Sequence, residues 1–293
     1  LIPLVFLAVS AVLNIILDLW FVAGLKRGVA GAAEATVIAQ YVSGIGIMLY
    51  AFRRFPQLFH SEEKIRLRRC RIREIAGFSA LTCLQQSIMN LGILAVQGLV
   101  NSFGTVTMAA FAAGVKIDAF AYLPVQDFGN AFSIFIAQNY GAGKQTRIKK
   151  GIRAAALTTI AFGALISAAV FLFARPLMTL FIDAGERAVI HEGIGYLRIE
   201  GAFYPLIGLL FLLYGLYRAL GRPGMSVVLT IISLGSRVAL AYALAAIPGI
   251  GVSGIWWSVP IGWLLADVLG VSYWLIRKKK LLPDAEDKNR GRL

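Results

Sequence analysis

The feature that most constrains this chain is a run of eight apolar stretches, each long enough to cross a bilayer. They cover residues 1–21, 28–50, 77–101, 105–139, 152–174, 194–217, 224–245 and 251–276. A hydrocarbon core about 30 Å thick needs about 20 apolar residues in a helix. Lipid offers no partners to backbone amides, so each stretch is read as a helix. Composition agrees. Hydrophobic residues are 58% of the 293, charged residues 15%, and mean hydropathy is +0.75. Soluble domains carry about 25% charged residues. The expected fold is therefore all-α: a polytopic membrane helix bundle.

The fourth stretch is long. Pro124 supplies a kink by removing a backbone donor. The uncharged segment Asn101 to Gly104 before it and the basic segment Lys144 to Arg153 after it point to one crossing.

Net charge is +14, from 29 Lys and Arg against 15 Asp and Glu. A basic chain can signal a nucleic-acid partner. Here the cations sit between apolar runs, and no nucleic-acid motif accompanies them. Twenty-two of the 29 lie in the loops after the second, fourth, sixth and eighth stretches. Lys26, Arg27, Arg175, Arg187 and Arg198 lie in the opposite loops, and Lys116 and Arg237 lie within stretches. This alternation places the basic loops and the C-terminus in the cytoplasm. Ser61 to Ile75 mixes arginines with Ile65, Leu67, Ile72 and Ile75. It reads either as a short helix on the inner leaflet or as a solvated linker. The chain starts at Leu1 inside an apolar run with no charged segment before it. It reads as a fragment, not as a signal peptide.

Cys70 and Cys83 make neither a disulfide framework nor a metal set. His60 and His191 read as solvated loop residues. The segment Gln138 to Lys144 resembles a P-loop in its Gly-Lys ending. However, Gln138 and Gln145 stand where that motif needs Gly and Ser or Thr, so the glycines read as a helix cap. With no nucleotide site and no nucleophile–base set, an enzyme is not expected, and any transport by this chain would have to be driven by an ion.

Two distant segments share one pattern. Asn14 to Gly31 and Arg237 to Gly254 align without a gap, each ending in Gly-Val-small-Gly at a turn that opens a helix. Duplicated halves are common in secondary transporters, with the substrate site between them. A parallel repeat makes residues 1–52 the last two helices of a first six-helix half. Residues 53–76 are then a cytoplasmic linker, 77–276 the second half, and 277–293 a basic cytoplasmic tail. The whole would have twelve helices in two bundles, eight of them here.

Intramembrane polar residues usually face a bundle interior or water. Thr82, Gln86, Asn90, Gln97 and Asn101 form one stripe at helical spacing. It reads either as the wall of a wet cavity or as interhelical hydrogen bonding. Lys116, Asp127, Asn130 and Gln138 share a face of the fourth stretch, with Asp118 on another side. Lys116 and Asp127 are about 16 Å apart along the axis, too far to pair. Asp127 reads either as a cavity-lining proton or cation site or as a structural partner of Arg237 or Lys116. Glu34 and Asp267 complete the candidate substrate and ion pathway, and an Arg237–Asp267 pair is a further reading. Tyr122, Tyr204, Tyr214, Trp256, Trp257, Trp263 and Trp274 read either as stacking partners for aromatic cations or as interfacial anchors.

Several of these segments resemble one family. Leu13-Asn14-Ile15 to Asp18, Gly28 to Ala33, Ala35-Thr36 and Ala39-Gln40 look like the fifth and sixth helices of multidrug and toxic-compound extrusion (MATE) transporters. Leu84 to Ser87 resembles the start of their seventh helix. Asn101 to Gly104, Ala109-Ala110, Leu123-Pro124 and Gln138 to Lys144 resemble their eighth helix and the loop after it. The resemblance implies two six-helix bundles around a cleft and export of small organic, often cationic, compounds against H⁺ or Na⁺. No other cofactor is implied. A monomer in a bacterial inner membrane is expected. The family's acidic coupling residue in the first helix would lie outside this chain. Some members also use acids in the seventh and tenth helices, where this chain offers Gln85 and Gln86, and Glu200. A flippase for lipid-linked saccharides resembles the same superfamily, but its cavity should be strongly cationic. A scaffold or receptor would have no need of polar files.

Overall fold

The computed structural model describes residues 2–56 and 69–282. The described residues form nine α-helices joined by short turns: α1 Ile2–Asp18, α2 Gly28–Arg54, α3 Arg69–Asn101, α4 Thr105–Gly141, α5 Gln145–Thr179, α6 Arg187–Gly201, α7 Tyr204–Ala219, α8 Pro223–Ala245 and α9 Val252–Leu281. A π-helical segment, Leu19–Gly24, continues α1. Seven helices are long and apolar enough to cross a membrane, and eight crossings result when the bent pair α6–α7 counts as one. The all-α, polytopic expectation therefore holds. The arginine-rich connection over residues 57–68 and the tail over residues 283–293 lie outside the described residues. From Arg69 on, that connection is the first part of α3, not a separate surface helix.

The sixth crossing departs from the single helix expected over 194–217. It is broken after Gly201 and bent by 50°. Pro205, in the first turn of α7, explains the break. Proline lacks the donor that a continuous helix needs and restricts the residue before it. α4 runs through Pro124 without interruption. Its end is capped at Gly143, whose φ of +69° lets the Lys144 N–H reach the Asn139 carbonyl at 2.9 Å. α5 is kinked at Phe173, one turn before Pro176, for the reason that breaks the sixth crossing.

The chain forms two compact units, Leu1–Arg71 and Ile72–Leu293. In the first, α1 and α2 meet along a small-residue stripe. Ala35, Ala39 and Ser43 are buried, Ser10 donates to the Ala39 carbonyl at 3.0 Å and Ser43 to the Phe6 carbonyl at 3.2 Å. Small side chains let helices in lipid approach closely. Arg27 and Glu34 pair at 2.5 Å on the surface, where such a pair contributes little. In the second unit α7 is the central helix, packed against α4, α5, α8 and α9. Most of its residues from Ile207 to Tyr217 are buried.

The two repeat segments share a turn with two positive-φ residues before the second helix. Lys26 and Gly28 have φ of +52° and +55°, and their counterparts Gly249 and Gly251 have +93° and +51°. Ser10 touches Ala39 in one segment. In the other, the counterpart Ser233 carbonyl lies so close to Gly262 that a Cβ there would be 2.4 Å away. One helical hairpin is thus built twice.

Candidate functional site

The second unit encloses a cavity of about 470 Å³ between α3, α4, α6, α7, α8 and α9. The break between α6 and α7 organises it. Tyr196 at the end of α6 and Tyr204 at the start of α7 both donate to Asp118 of α4, one to each carboxylate oxygen. Gly114, one turn before Asp118, makes this possible. A Cβ at Gly114 would stand 2.4 Å from the Tyr196 ring, so no other residue lets the phenol reach the carboxylate. On the far side of the break, Gly163 of α5 lies against the Pro205 backbone, where an added Cβ would be 2.9 Å away.

Glu200 is one turn beyond Tyr196 on the same face of α6 and is also buried. Its Oε2 has no hydrogen-bond partner. Arg237 of α8 lines the same cavity as both carboxylates. Among the described residues no ion pair joins it to either, and its Nε is unpartnered. Lys116 completes the charged lining, with its ammonium 6.0 Å from the centre of the Phe181 ring. The cavity therefore balances two carboxylates with two cations. Its remaining wall is mostly apolar, with an aromatic part made by Phe111, Tyr122, Phe211, Tyr214 and Trp263.

Of the residues selected from the sequence, Gln97 and Lys116 line this cavity. Gln86, Asn90, Asn101, Asp127, Asn130 and Gln138 are exposed on α3 and α4 and do not line it. Gln97 donates to Asn101 at 3.0 Å, and Asn130 accepts from Arg218 at 3.2 Å. Glu34 lies in the first unit, paired with Arg27. Asp267 is 3% exposed and neither carboxylate oxygen has a hydrogen-bond partner. The Arg237–Asp267 pair is therefore not formed. Arg237 turns instead to the cavity, one turn from Ser233 on the same face of α8. His191 lies on an exposed face of α6, not in a loop. His60 lies outside the described residues. Among the aromatic candidates, Tyr122, Tyr214 and Trp263 line the cavity. Trp256 is buried behind it and stacks on Phe111, so neither reading made for it applies. Trp257 is exposed.

Asp118 and Glu200 are the functional candidates that helical periodicity alone passed over. One signal was present: Gly114 and Asp118, and Tyr196 and Glu200, are each separated by one helical turn. In the first unit Asp18 has a buried carboxylate oxygen without a partner where α1 gives way to the π-helical segment, and Asn14 donates to Thr36 at 3.3 Å. π-helical turns occur frequently at functional sites.

Comparison with known proteins follows the same lines. The chain is 28% identical over 237 residues to the probable multidrug resistance protein YpnP of Bacillus subtilis, covering 79% of this chain and 51% of that protein. It is 26% identical over 276 residues to an FAD transporter of Shewanella oneidensis, covering 91% and 59%. The Vibrio cholerae MATE transporter VcmN in its bent form superposes with a TM-score of 0.79 at 26% identity, over 94% of this chain and 61% of that one. The chain thus spans between half and two thirds of the length of these relatives. The sequence profile of the MatE family matches residues 82–243, which run from α3 into α8 and make up more than half of the chain. On that match the chain belongs to the MatE family, the multidrug and toxic-compound extrusion transporters, and is a multi-pass membrane protein of a transporter family and not an enzyme.

Proposed function

We propose that this chain is the greater part of a bacterial inner-membrane antiporter that exports small organic compounds, many of them cationic, in exchange for H⁺ or Na⁺. The observation that carries this reading is the pair of buried carboxylates, Asp118 and Glu200, facing one cavity that Arg237 and Lys116 also line. A buried charge without a full set of partners costs several kcal/mol. With both acids ionised, two negative charges are buried side by side while Arg237 and Lys116 are not buried, and a proton or a sodium ion taken up between the acids offsets their charge. A cationic substrate entering the cavity does the same, so the two compete. That competition is antiport. The aromatic wall supplies stacking surface for an organic cation.

The balance of two cations against two carboxylates does not favour a flippase, whose pyrophosphate cargo calls for a cationic pocket. Gln86, Asn90, Asn101, Asp127, Asn130 and Gln138 are read as the wall of a wider pathway that a facing bundle closes, and the relatives are long enough to supply one. Asp267 and Glu34 are read as further ion-binding positions. The alternation of basic loops supports a cytoplasmic location for those loops and the C-terminus, and a monomer suffices for this mechanism.

The test is retention of a fluorescent cationic dye in cells with and without the full gene. The expected result is lower retention with the gene, returning to the control level when the proton and sodium gradients are collapsed. Equal retention in both strains argues against export.

A further inference from the structure

We propose that the cleft between the start of α5 and the end of α9 binds the phosphate headgroup of an anionic phospholipid. The cleft encloses about 460 Å³ and is lined by Lys149, Ile152 and Arg153 of α5 and by Trp274, Leu275 and Lys278 of α9, with Leu282 at its end. It is separate from the cavity that holds Asp118 and Glu200, and nothing in the transport reading uses it.

The lining follows from the sequence. Lys149, Ile152 and Arg153 are spaced three and four residues apart, on one face of α5. Trp274 and Lys278 are one turn apart on α9. Both helices pack against α7, which brings their basic ends to the same membrane face. Three cations from two helices then converge on the cleft. The depth is that of a headgroup. α5 begins at Gln145, so Lys149 and Arg153 occupy its first turns. The last apolar residue of α9 before its basic end is Ile276. Trp274 is at the level where tryptophan settles at the boundary of a bilayer.

The chemistry separates a lipid from a free anion. Phosphate is the shared recognised group. Ile152, Leu275, Leu282 and the indole of Trp274 add nothing to a free inorganic phosphate, whereas they pack against the glycerol and upper acyl carbons of a lipid. Basic pockets between transmembrane helices on the cytoplasmic side bind acidic headgroups in this manner, and each cation near an anionic surface contributes about 1 kcal/mol.

Trp274 also provides the probe. The full-chain protein is reconstituted in phosphatidylcholine bilayers that contain phosphatidylglycerol brominated on its acyl chains, or brominated phosphatidylcholine as the control. Quenching at Trp274 is obtained as the difference between the wild type and W274F. Brominated phosphatidylglycerol should quench this component at a mole fraction about tenfold lower than brominated phosphatidylcholine. R153Q/K278Q should remove the preference, because two of the three cations are lost. Relief by unlabelled phosphatidylglycerol but not by millimolar inorganic phosphate identifies the lipid as the source of the phosphate. Equal quenching by the two lipids overturns the proposal, and so does relief by inorganic phosphate or an undiminished preference in R153Q/K278Q. A preference that emerges only when Asp284, Glu286 and Asp287 are neutralised also overturns it, because the chain's own acidic tail would then be the occupant. Emission from the other four tryptophans reports whether each variant is folded.

Discussion

Replacing Asp118 by asparagine is expected to reduce ion-driven efflux by about tenfold or more, which corresponds to roughly 1.4 kcal/mol, while the protein still reaches the membrane in normal amount. Asparagine has the shape of aspartate, and its carbonyl oxygen still accepts from one of the two tyrosine hydroxyls. What it lacks is the charge. The buried pair Asp118 and Glu200 then loses one of its two negative charges, and with it the reason to take up a cation. A structural role alone predicts the opposite separation: lower abundance with unchanged transport per molecule. Tyr196→Phe should have a smaller effect, since Tyr204 continues to donate to Asp118. Efflux of a fluorescent dye, normalised to the amount of protein in the membrane, separates these outcomes.

Gly215→Val is expected to destabilise the second unit by about 3 kcal/mol, at the upper end of the usual cost of overpacking a core. The site is the crossing of α4 and α7, where the backbones nearly touch. A Cβ at Gly215 would be 2.6 Å from the Gly129 carbonyl oxygen, and one at Gly129 would be 3.0 Å from the carbonyl oxygen of Phe211. A backbone carbonyl cannot rotate away as a side-chain end can, so the helices must separate. That separation would also pull α7, which carries Tyr204, Phe211 and Tyr214, away from the cavity wall. Gly235 of α8 is the contrast, because a Cβ there meets nothing within 4 Å. Gly235→Ala should stabilise by roughly 0.5–1 kcal/mol through helix propensity. The thermal midpoint of the purified protein is expected to fall for Gly215→Val and to rise slightly for Gly235→Ala. A fall of equal size in both would mean that neither glycine is placed as described.

The same two sites explain how much of the molecule was legible in the sequence. The membrane crossings follow from length and hydropathy alone, because lipid removes every alternative to a helix for an apolar run of that size. The repeat was legible for a related reason. Gly28 and Gly251 each open a helix at positive φ, a conformation that singles out glycine, and so leaves a mark in the sequence. The break before α7 was harder to see. Pro205 sits inside an apolar run, and a proline within a run is either carried inside a continuous helix, as at Pro124, or ends it. Which of these happens depends on what packs around it, here Gly163 of α5.

The cavity was less legible for the same reason. A helical wheel orders residues around one axis but does not say which face meets the neighbours. In α4 it grouped Lys116 with Asp127, Asn130 and Gln138, and it placed Asp118 apart. The packed structure turns Asp118 inward, because Gly114 admits Tyr196 beside it. Tyr196 and Tyr204 lie far along the chain from Asp118, and only tertiary packing joins them. Asp267 shows the reverse case. It is buried as an intramembrane carboxylate should be, but the expected partner Arg237 is turned toward the cavity.

The most direct measurement of the central claim uses proteoliposomes that contain the full-length protein, dye and an imposed proton or sodium gradient. Glu200→Gln keeps the cavity's shape and removes one of its two negative charges. The account predicts that wild-type vesicles concentrate dye only while a gradient is present. Glu200→Gln vesicles should equilibrate dye down its own gradient without concentrating it. Gradient-driven accumulation by Glu200→Gln at the wild-type level would contradict the assignment of ion coupling to this cavity.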